Sequence, residues 1–275
     1  MNNILVSFSG GKTSAYMSYL LKKNNKQDNL YFVFANTGQE SEESLEFTRK
    51  CDEEFNLNLV WVEAVVNAKK GEATSYKTTN FKEAHRGWQL FEDVISKYGI
   101  PNKSYPHCNR ELKLAPIHSW AKENIGDYKT AIGIRTDEIR RVSKGNLYNI
   151  IYPLINDYPT DKIDVNNFWE DMSFNLEIPP YLGNCVGCWK KSDRKLIMIA
   201  QEYPELFNTI SKIEADYRHS GSDPHGKGRT FFRQNRNAKD ILKLAGMLTA
   251  LNFHDYPDEN DGCSESCEIY EMDEK

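Results

Sequence analysis

One stretch near the beginning of the chain constrains the fold most strongly. Residues 4–8 form an apolar run that predicts a buried strand, and Ala15, Tyr19 and Leu20 then recur at helical spacing. The sequence Ser-Gly-Gly-Lys-Thr-Ser at 9–14 joins the two. Glycines let backbone N–H groups approach an anion, and a helix N-terminus offers unpaired donors and a partial positive charge. We therefore predict a phosphate or sulfate cradle at this turn.

The spacing of this turn excludes two familiar nucleotide-binding loops. A Walker A loop needs glycine where this chain has Val6, and no Gly-x-Gly-x-x-Gly is present. A strand–helix turn without a ligand is the plain alternative. In the cradle hypothesis Lys12 supplies a point charge and the other residues supply backbone or hydroxyl donors. The residues predicted to bind the nucleotide here are Ser7, Ser9, Gly10, Gly11, Lys12, Thr13 and Ser14.

The pattern strand–Ser-Gly-Gly-Lys-x-Ser–helix resembles the PP-loop of the adenine nucleotide α-hydrolase superfamily, and most closely its phosphoadenosine phosphosulfate (PAPS) reductase-like members. The superfamily includes sulfonucleotide reductases, ATP pyrophosphatases and tRNA or DNA thiolation enzymes. Most members have Asp before the final Ser, where this chain has Thr13. The resemblance therefore implies a backbone cradle for an adenine nucleotide and gives no role to the Thr13 side chain.

The rest of the chain predicts an α/β fold with a doubly wound, Rossmann-like sheet of five mainly parallel strands. The predicted strands after the first lie at residues 30–35, 57–66, 129–134 and 148–154, with helices between them. In such sheets the ligand lies beyond the carboxyl ends of the strands. The composition changes near residue 157, which predicts a nucleotide-binding domain at 1–157 and a mainly helical, cysteine-containing subdomain at 158–275. Its predicted helices span residues 164–172, capped by Asp164, 192–201 and 238–251.

Composition excludes several classes of function. The 275 residues carry a formal net charge of −5, so the chain has no global basic field, and nucleic acid is an unsupported partner. No apolar run is long enough to span a membrane, and residues 1–20 lack the plan of a signal peptide. We therefore expect a cytoplasmic protein. Six cysteines in that compartment indicate metal binding or redox use rather than a disulfide scaffold.

Further binding candidates follow the second and fourth predicted strands. The resemblance implies that Asn36, Thr37 and Gly38 lie by the adenosine, although by themselves they form an ordinary turn. Gly133 and Arg135 belong to a Gly-Ile-Arg segment whose arginine faces the anionic substrate in the family. A planar guanidinium suits bidentate capture of phosphate or sulfate, whereas a solvated charge run is the alternative. The sequence assigns no role to the neighbouring Arg140 and Arg141.

The segment from 107 to 116 resembles the Cys-Cys-x-x-x-Lys-x-x-Pro segment of sulfonucleotide reductases. There the cysteines bind an iron–sulfur cluster and the lysine, here Lys113, lies near the substrate. This chain keeps one cysteine, Cys108, and has His107 in place of the other. His107 either replaces that ligand or is merely hydrogen-bonded. The polar segment before it, residues 67–106, is predicted to be a flap over the site or a plain surface insertion, with one helix near 88–98.

A Cys-x-x-Cys pair, Cys185 and Cys188, is the second strong signal, because two thiolates at that spacing can bind one metal centre. Cys108 supplies a third ligand, and Cys263 or Cys267 completes four. The pattern resembles the cluster ligands of sulfonucleotide reductases and related thiolation enzymes, so a 4Fe–4S cluster is the first expectation and zinc the second. Spacing does not separate the two, and buried thiols without metal are a further alternative. We expect Cys51 to be an inert core thiol.

Three functions fit this set of residues, with Lys12, Lys113 and Arg135 as the predicted catalytic cations. The first is ATP cleavage between the α and β phosphates, with Mg²⁺, to activate a substrate that then accepts sulfur from a donor. The second is reduction of PAPS or its desphospho analogue by a C-terminal cysteine, with a thioredoxin-like reductant. The chain lacks the Glu-Cys-Gly-x-His type motif of such reductases. The third is a nucleotide-binding sensor without catalysis.

Overall fold

The sheet is the centre of the fold. The computed structural model describes residues 1–69, 71–142, 149–183, 185–222, 226–232 and 236–247. The six strands stand in the order β4-β3-β2-β1-β5-β6. They are β1 (Asn3–Phe8), β2 (Asn29–Asn36), β3 (Val60–Val65), β4 (Ser75–Thr79), β5 (Lys129–Ala131) and β6 (Ile150–Ile151). This arrangement confirms the predicted α/β, mainly parallel sheet.

Parallel pairing places the predicted binding segments at one edge of the sheet. Val6 of β1 pairs with Phe32 of β2 and with Ala131 of β5, and Val33 pairs with Val60 of β3, all in parallel register. The carboxyl ends of β1, β2 and β5 therefore meet at the same edge, which is where ligands bind in open α/β sheets.

The predicted number of strands, five, is wrong because β4 was missed. This strand pairs with β3 in antiparallel register, Trp61 opposite Thr79 and Val65 opposite Ser75. It lies at the end of the sheet, and its residues are exposed or partly exposed. An edge strand of this kind has no buried face, so its sequence carries neither an apolar run nor an alternation. The segment predicted as a flap or insertion thus adds a strand to the sheet.

Ten α-helices lie within the described residues. They are α1 (Lys12–Asn24), α2 (Glu42–Phe55), α3 (Gln89–Tyr98), α4 (His107–Asn109), α5 (Ala115–Asn124), α6 (Pro153–Asn156), α7 (Lys162–Glu170), α8 (Asp193–Glu202), α9 (Pro204–Asp216) and α10 (Ala238–Met247).

The helix predicted at residues 164–172 begins earlier than expected. In α7 the N-cap is Asp161, whose side chain accepts from the backbone N–H groups of Ile163 and Asp164. Asp164 is the third residue of the helix, and its carboxylate accepts from the N–H of Asp161. Two aspartates three residues apart both suit the cap, and the reciprocal capping box decides the start. The helix predicted at 238–251 is described from Ala238 to Met247.

Three hydrophobic clusters hold these layers together. One face of the sheet packs on α1, α2 and α7, with Phe34, Phe47 and Trp169 in its core. The other face packs on α5, through Val62 and Ile117. The third cluster joins α3 with α8, α9 and α10. Helix α7 therefore packs with the sheet while α3 packs with the C-terminal helices, and the division at residue 157 stays a prediction about folding units.

In the described part of the chain, no helix is both long enough and apolar enough to cross a membrane.

Candidate functional site

A cavity of about 270 Å³ opens beyond the carboxyl end of β1, and we call it the nucleotide cavity. Four predicted cradle residues line it, and three lysines from different parts of the chain face the same space. Its other walls come from the start of α2, from α7 and from the segment after α7. The described lining residues are Ser9, Gly10, Gly11, Lys12, Glu40, Ser44, Lys113, Lys162, Asn166, Leu176, Ile178, Pro179 and Gly183.

The turn that begins this cavity is held open by its own residues. Gly10 has a φ of +80°, and a Cβ there would lie 3.3 Å from the Phe34 ring, so glycine suits the position. Gly11 caps α1 without a side-chain hydrogen bond, and the first turn of α1 contains no acidic residue. The first backbone N–H groups of α1 therefore face the cavity side with a partial positive charge.

Ser14 closes the turn instead of lining the cavity. Its Oγ accepts from the N–H of Ser9, at 3.1 Å, and from the Ser9 hydroxyl, at 2.9 Å, and donates to the carbonyl of Gly11, at 3.0 Å. Three hydrogen bonds on one buried hydroxyl fix the path of the backbone from β1 into α1. The sequence predicted Ser14 as a ligand-binding residue, and the structure gives it this supporting position.

Thr13 and Arg135 meet at the base of the same turn. The buried Arg135 guanidinium donates through Nη1 to Thr13 Oγ1, at 3.0 Å, and through Nε and Nη2 to the two carboxylate oxygens of Asp137, at 2.9 and 3.1 Å. This guanidinium holds the pKa of Asp137 below its usual range. Gly133 allows the close approach, since a Cβ there would lie 3.3 Å from the Ser14 Cα. Arg135 and Gly133 thus brace α1 from behind.

Asn36 is buried at the end of β2, away from the described lining of the nucleotide cavity. Its amide nitrogen donates to Glu63 Oε1, at 2.6 Å, and to the carbonyl of His85, at 2.9 Å. Its amide oxygen accepts from the N–H of Gly38, at 3.2 Å. Gly38 has a φ of +77°, and a Cβ there would lie 2.6 Å from the carbonyl oxygen of Gly87. Asn36 and Gly38, two of the three residues predicted to lie near the adenosine, therefore anchor the segment around residues 85–87.

Glu63 is the buried charge at the centre of this anchor. Besides Asn36, it accepts from the backbone N–H of His85, at 2.6 Å, and contacts His85 Nδ1, at 2.7 Å, and Lys77 Nζ, at 3.2 Å. Burial alone would raise the pKa of Glu63, but these donors outweigh burial and lower it. Sequence reasoning missed this carboxylate, because a single Glu in an apolar strand gives no indication of which distant residues it will contact.

Thr37 lines a second cavity. Its backbone N–H donates to Glu40 Oε2, at 2.9 Å, and its hydroxyl donates to the same carboxylate, at 2.8 Å from Oε1. The Thr37 Oγ1 also lies 3.5 Å from Cys185 Sγ. Since Glu40 lines the nucleotide cavity, this threonine and glutamate form a polar connection from a thiol to that cavity.

The second cavity, here the thiol cavity, brings Cys108, Cys185 and Cys188 together. It is narrow, about 30 Å³, and aromatic and aliphatic side chains dominate its walls. Those side chains are Trp88, Phe91, Leu112, Trp189 and Phe231, and the remaining described lining residues are Thr37, Gln39, Asn109, Lys113 and Gly187.

A tight turn presents the Cys-x-x-Cys pair to this cavity. The N–H of Cys188 donates to the carbonyl of Cys185, at 3.1 Å, and the N–H of Val186 donates to the carbonyl of Gln39, at 3.1 Å. Gly187 allows close packing, because a Cβ there would lie 3.0 Å from Ile210 Cδ1. The turn is therefore attached both to the end of β2 and to α9.

The thiol cavity fits a thiolate-bound metal group in the chemistry of its donors. Three thiols line one apolar space, and thiolates are the ligands that hold iron–sulfur clusters. Among the described residues, however, no three His, Cys, Asp or Glu side chains are arranged to hold a metal ion. Cys263 and Cys267, the candidates for a fourth ligand, lie outside the described residues.

Two other predicted positions lie away from the thiol cavity. Cys51 is fully buried in the core beneath α2, and burial raises the pKa of its thiol, which agrees with an inert core residue. His107 donates from Nε2 to the carbonyl of Gly99, at 3.0 Å, and burial lowers its pKa to about 4. His107 is not among the described residues that line the thiol cavity. Its hydrogen bond matches the plain alternative stated for it.

Lys113 belongs to both cavities. It is buried and lines the nucleotide cavity as well as the thiol cavity. The chain at Arg110–Leu114 forms a π-helical turn. A π-turn widens the helix locally and is frequent at functional sites. The structure thus brings Lys113 between the predicted phosphate cradle and the thiols.

Helix α7 supplies cavity residues that sequence reasoning missed. Lys162, Asn166 and Trp169 lie on one face of α7, since they are four and three residues apart. The Trp169 indole N–H donates to the backbone carbonyl of Lys12, at 3.0 Å, and its ring is buried against Phe47. This docking places Lys162 and Asn166 in the wall of the nucleotide cavity. The sequence marks the helix but not the contact.

Lys191 is a second missed residue. It is buried, and its Nζ donates to the carbonyls of Tyr181, at 2.8 Å, and Gly183, at 2.6 Å. Gly183 lines the nucleotide cavity, and Lys191 follows the Cys-x-x-Cys pair by three residues. The ammonium group therefore joins the wall of one cavity to the turn that forms the other. Nothing in the sequence distinguishes Lys191 from the neighbouring Lys190.

Comparison with known proteins gives one family and several relatives. Residues 3–151 match the family described as "Phosphoadenosine phosphosulfate reductase domain". An uncharacterized nin region protein of Escherichia phage lambda is 29% identical over 282 residues, covering 97% of this chain and 94% of the relative. Two uncharacterized proteins of Methanocaldococcus jannaschii are 27% and 28% identical over 74% and 84% of this chain. The chain spans only 46% and 44% of their lengths.

A solved structure is also similar to the chain. It is a phosphoadenylyl-sulfate (PAPS) reductase from Candida auris in a phosphate complex, with a TM-score of 0.38 and 16% identity. The similarity covers 62% of this chain and 73% of that one.

Proposed function

The chain belongs to the phosphoadenosine phosphosulfate reductase domain family, and we propose that it is a PP-loop enzyme that uses an adenine nucleotide in sulfur transfer. Family membership indicates a sulfonucleotide-related, nucleotide-binding function and enzyme activity in general. The finer proposal is that ATP binds in the nucleotide cavity and is cleaved between its α and β phosphates. The acceptor, a sulfur donor or a thioredoxin-like reductant would be its other partners.

The nucleotide cavity is the observation that carries this proposal. The N-terminus of α1 faces it without a side-chain cap, and Lys12, Lys113 and Lys162 line it. Backbone N–H groups with a partial positive charge and three ammonium groups are suited to a polyphosphate. The predicted binding residues that line it are Ser9, Gly10, Gly11 and Lys12, while Ser14, Thr13, Arg135 and Gly133 would support them from behind.

The proposed reaction is a nucleophilic substitution at the α phosphorus. An oxygen of the acceptor attacks the α phosphorus and forms a P–O bond, while the bond to the bridging α–β oxygen breaks. Pyrophosphate takes that electron pair, and its developing charge is stabilised by the amides of α1, Lys12 and Lys113. Glu40 is the carboxylate of the described lining, so it would be the protein ligand if Mg²⁺ accompanies the phosphates. A nucleophilic sulfur of the donor then attacks the acceptor carbon that bears the adenylate. A C–S bond forms, the C–O bond to AMP breaks, and AMP leaves with the electron pair.

The thiol cavity adds the sulfur chemistry to this proposal. Cys108, Cys185 and Cys188, with Cys263 or Cys267, would hold a 4Fe–4S cluster, or zinc as the second choice. Such a cluster, when bound, offers iron at which sulfur or electrons can be held. The chain itself would supply an apolar, water-poor surrounding through Trp88, Phe91 and Trp189. Lys113 would connect the two halves, since it lines both cavities.

Reduction of PAPS is the second candidate, and the description of the matched family favours it. A cysteine thiolate would attack the sulfur of PAPS, forming an S–S bond while the S–O bond to the nucleotide breaks. The resulting thiosulfonate would then release sulfite on attack by a thiol of a thioredoxin-like protein. Cys263 and Cys267 are the candidates for the first thiolate only if neither binds a metal.

The two candidates are separated with the anaerobically purified full chain. Pyrophosphate release from ATP with candidate acceptors tests the first, and sulfite release from PAPS with thioredoxin tests the second. The Lys12→Ala variant should abolish whichever release is seen, while Lys22→Ala, at the other end of α1, should not. Nucleotide binding without any release would mean a sensor. Failure to bind any adenine nucleotide would overturn the proposal.

A further inference from the structure

A third cavity of about 410 Å³ lies on the other face of the segment that separates the first two, and we call it the outer groove. His107, Arg110 and Leu114 line it at spacings of three and four residues, as one helix face does. Cys108 and Leu112, on another face of the same segment, line the thiol cavity. Asn109 lines both. One short segment is therefore the wall between the outer groove and the thiols.

The groove combines aromatic rings with cations. The Tyr98 and His107 rings lie 5.8 Å apart, and Arg110 and the Lys97 ammonium lie 5.9 and 5.0 Å from the centre of the Tyr98 ring. Across the groove the Arg229 guanidinium lies 3.5 Å from the centre of the Tyr105 ring. None of the described residues that line the groove is Asp or Glu. The charged side chains of the described lining are Arg110 and Arg229, and both are cationic.

The two arginines of the groove differ in what they can do. Arg229 is buried and donates through Nη1 to the carbonyl of Tyr98, at 2.9 Å, and through Nη2 to that of Ser222. It therefore fixes the groove wall and the Tyr105 ring in place. Arg110 has 61% of its side chain exposed and uses Nε on the carboxylate of the buried Glu111, at 2.7 Å. The contact with Glu111 orients the Arg110 guanidinium, and the side chain remains largely exposed at the groove.

We propose that the outer groove binds a nucleotide unit, with its base against the rings of Tyr98 and Tyr105 and its phosphate at Arg110. Base–aromatic stacking and a guanidinium on phosphate are the contacts by which proteins hold nucleotides without reading sequence. A phosphorylated peptide would use Arg110 as well, but it carries no base to pack against the tyrosine rings. The aromatic rings therefore favour a nucleotide.

The outer groove shares one residue with the thiol cavity, Asn109, and the segment between them also carries Cys108. Binding in the groove does not rest on the proposed function. The nucleotide unit could belong to a free mononucleotide, to single-stranded DNA or to single-stranded RNA.

Binding is tested by fluorescence anisotropy with labelled single-stranded DNA and RNA of about eight nucleotides, and by competition with AMP. We expect Arg110→Gln and Tyr105→Leu each to weaken binding of the preferred probe about five- to tenfold. Arg110→Gln should also reduce the slope of log affinity against log salt by about one. Thermal denaturation of each variant verifies that it is folded.

Arg49→Gln is the matched control, because Arg49 is also partly exposed, paired with one glutamate and placed over an aromatic ring, Phe81. This control should bind like the wild type. Equal binding by wild type, Arg110→Gln and Tyr105→Leu would overturn the proposal, and so would equal losses in Arg110→Gln and Arg49→Gln. A phosphorylated peptide that displaces every oligonucleotide at lower concentration would also overturn it.

The failure of this inference is distinguishable from failure of the proposed function. Lys12→Ala should weaken ATP and leave oligonucleotide affinity unchanged, whereas Arg110→Gln should do the reverse. Loss of both ligands in both variants would mean a single site and would contradict the separation of the outer groove from the nucleotide cavity.

Discussion

The nucleotide cavity and the thiol cavity share a wall, yet they are built on opposite principles. The first is roomy, about 270 Å³, and residues 9–12 form one continuous side of it, with Lys113 and Lys162 added from other segments. The second is narrow, about 30 Å³, and its aromatic walls enclose Cys108 together with a Cys-x-x-Cys pair that begins 77 residues later, at Cys185. A local turn suffices for an anion, because the helix supplies the donors. A thiolate centre needs ligands from several segments and protection from water.

The difference has a consequence for how each cavity fails. Removing one contact from the nucleotide cavity should weaken the binding of a ligand there and leave the fold intact. Removing one thiol should affect folding as well, because binding energy of a metal group contributes to stability. Four substitutions test this contrast.

Cys185→Ser should have the largest effect. We expect the anaerobically purified wild type to be brown, to absorb in the blue and to contain about four irons per chain. The variant should lose nearly all of that iron and most of its soluble yield, because serine is a poor ligand for iron. Metal analysis and absorption spectra measure the change.

Cys51→Ser is the control for that substitution. It replaces a buried core thiol away from the cavity, so it should lower stability but keep the metal content. A Cys185→Ser protein with full metal content would refute the assignment of this ligand. Stoichiometric zinc without iron in the wild type would remove the cluster and leave zinc.

Glu63→Gln should lower the free energy of unfolding by about 3 kcal/mol, because the amide keeps only one acceptor oxygen and loses the buried negative charge. Its NH2 group would then take the place of the oxygen that contacts Lys77 Nζ and His85 Nδ1. This network holds the end of β2, from which both cavities are built. The pKa of Glu63 is lowered in the fold, so its contribution is complete above its ordinary value of 4.5 and is lost as the pH falls through the folded value.

Urea unfolding at pH 7 and below pH 4.5 measures both effects. The difference between wild type and Glu63→Gln should be full at pH 7 and should shrink in acid. Glu46→Gln, at an exposed position of α2, should match the wild type throughout. A pH-independent difference would contradict an ionised Glu63.

Lys12→Ala should weaken adenine nucleotide binding about ten- to hundredfold, the range for loss of a charged contact to phosphate. The melting temperature of the ligand-free protein should stay within about two degrees of the wild type. Isothermal titration with ATP and PAPS measures the affinity, and Lys22→Ala controls for loss of a lysine on α1. Unchanged affinity would mean that the phosphates bind elsewhere.

Thr37→Val should have the smallest effect on nucleotide affinity, less than about twofold. Thr37 lines the thiol cavity and is not among the described residues that line the nucleotide cavity. Loss of its hydroxyl contacts to Glu40 and Cys185 should cost about 1 kcal/mol of stability. Thr37→Ser should restore that stability. A tenfold loss of ATP affinity would return Thr37 to the adenosine site.

The fold could be predicted from the sequence wherever burial leaves a pattern. The apolar runs of β1, β2 and β3 and the glycine turn led to the parallel sheet, and the resemblance to the PAPS reductase family is confirmed by the match over residues 3–151. The edge strand β4 escaped prediction because its side chains are exposed or only partly buried. Strand β6 has two residues, fewer than the predicted strand at 148–154, because Pro153 begins a helix within that range.

The sites were less predictable than the fold. Spacing identified the Cys-x-x-Cys pair and Cys108, and the structure brings these three thiols to one cavity. Their metal, and the part of Cys263 or Cys267, stay predictions. The family resemblance also implied that Asn36 and Arg135 contact the ligand. In the structure Asn36 is hydrogen-bonded to Glu63, and Arg135 is hydrogen-bonded to Asp137 and Thr13. A polar side chain at a strand end can face a ligand or a neighbour, and the neighbour is remote in sequence.

By itself the sequence determined the local chemistry of this protein: a glycine turn that opens a helix, thiols at metal spacing and the parallel order of the strands. Those features depend on backbone conformation and burial over a few residues. Only the tertiary structure decided that Lys113 and Lys162 face the same cavity and that Arg110 borders a separate groove. The packing of α7 through Trp169 places Lys162 at that cavity, and the π-turn at 110–114 places Lys113 and Arg110. Both depend on packing between segments far apart in the chain.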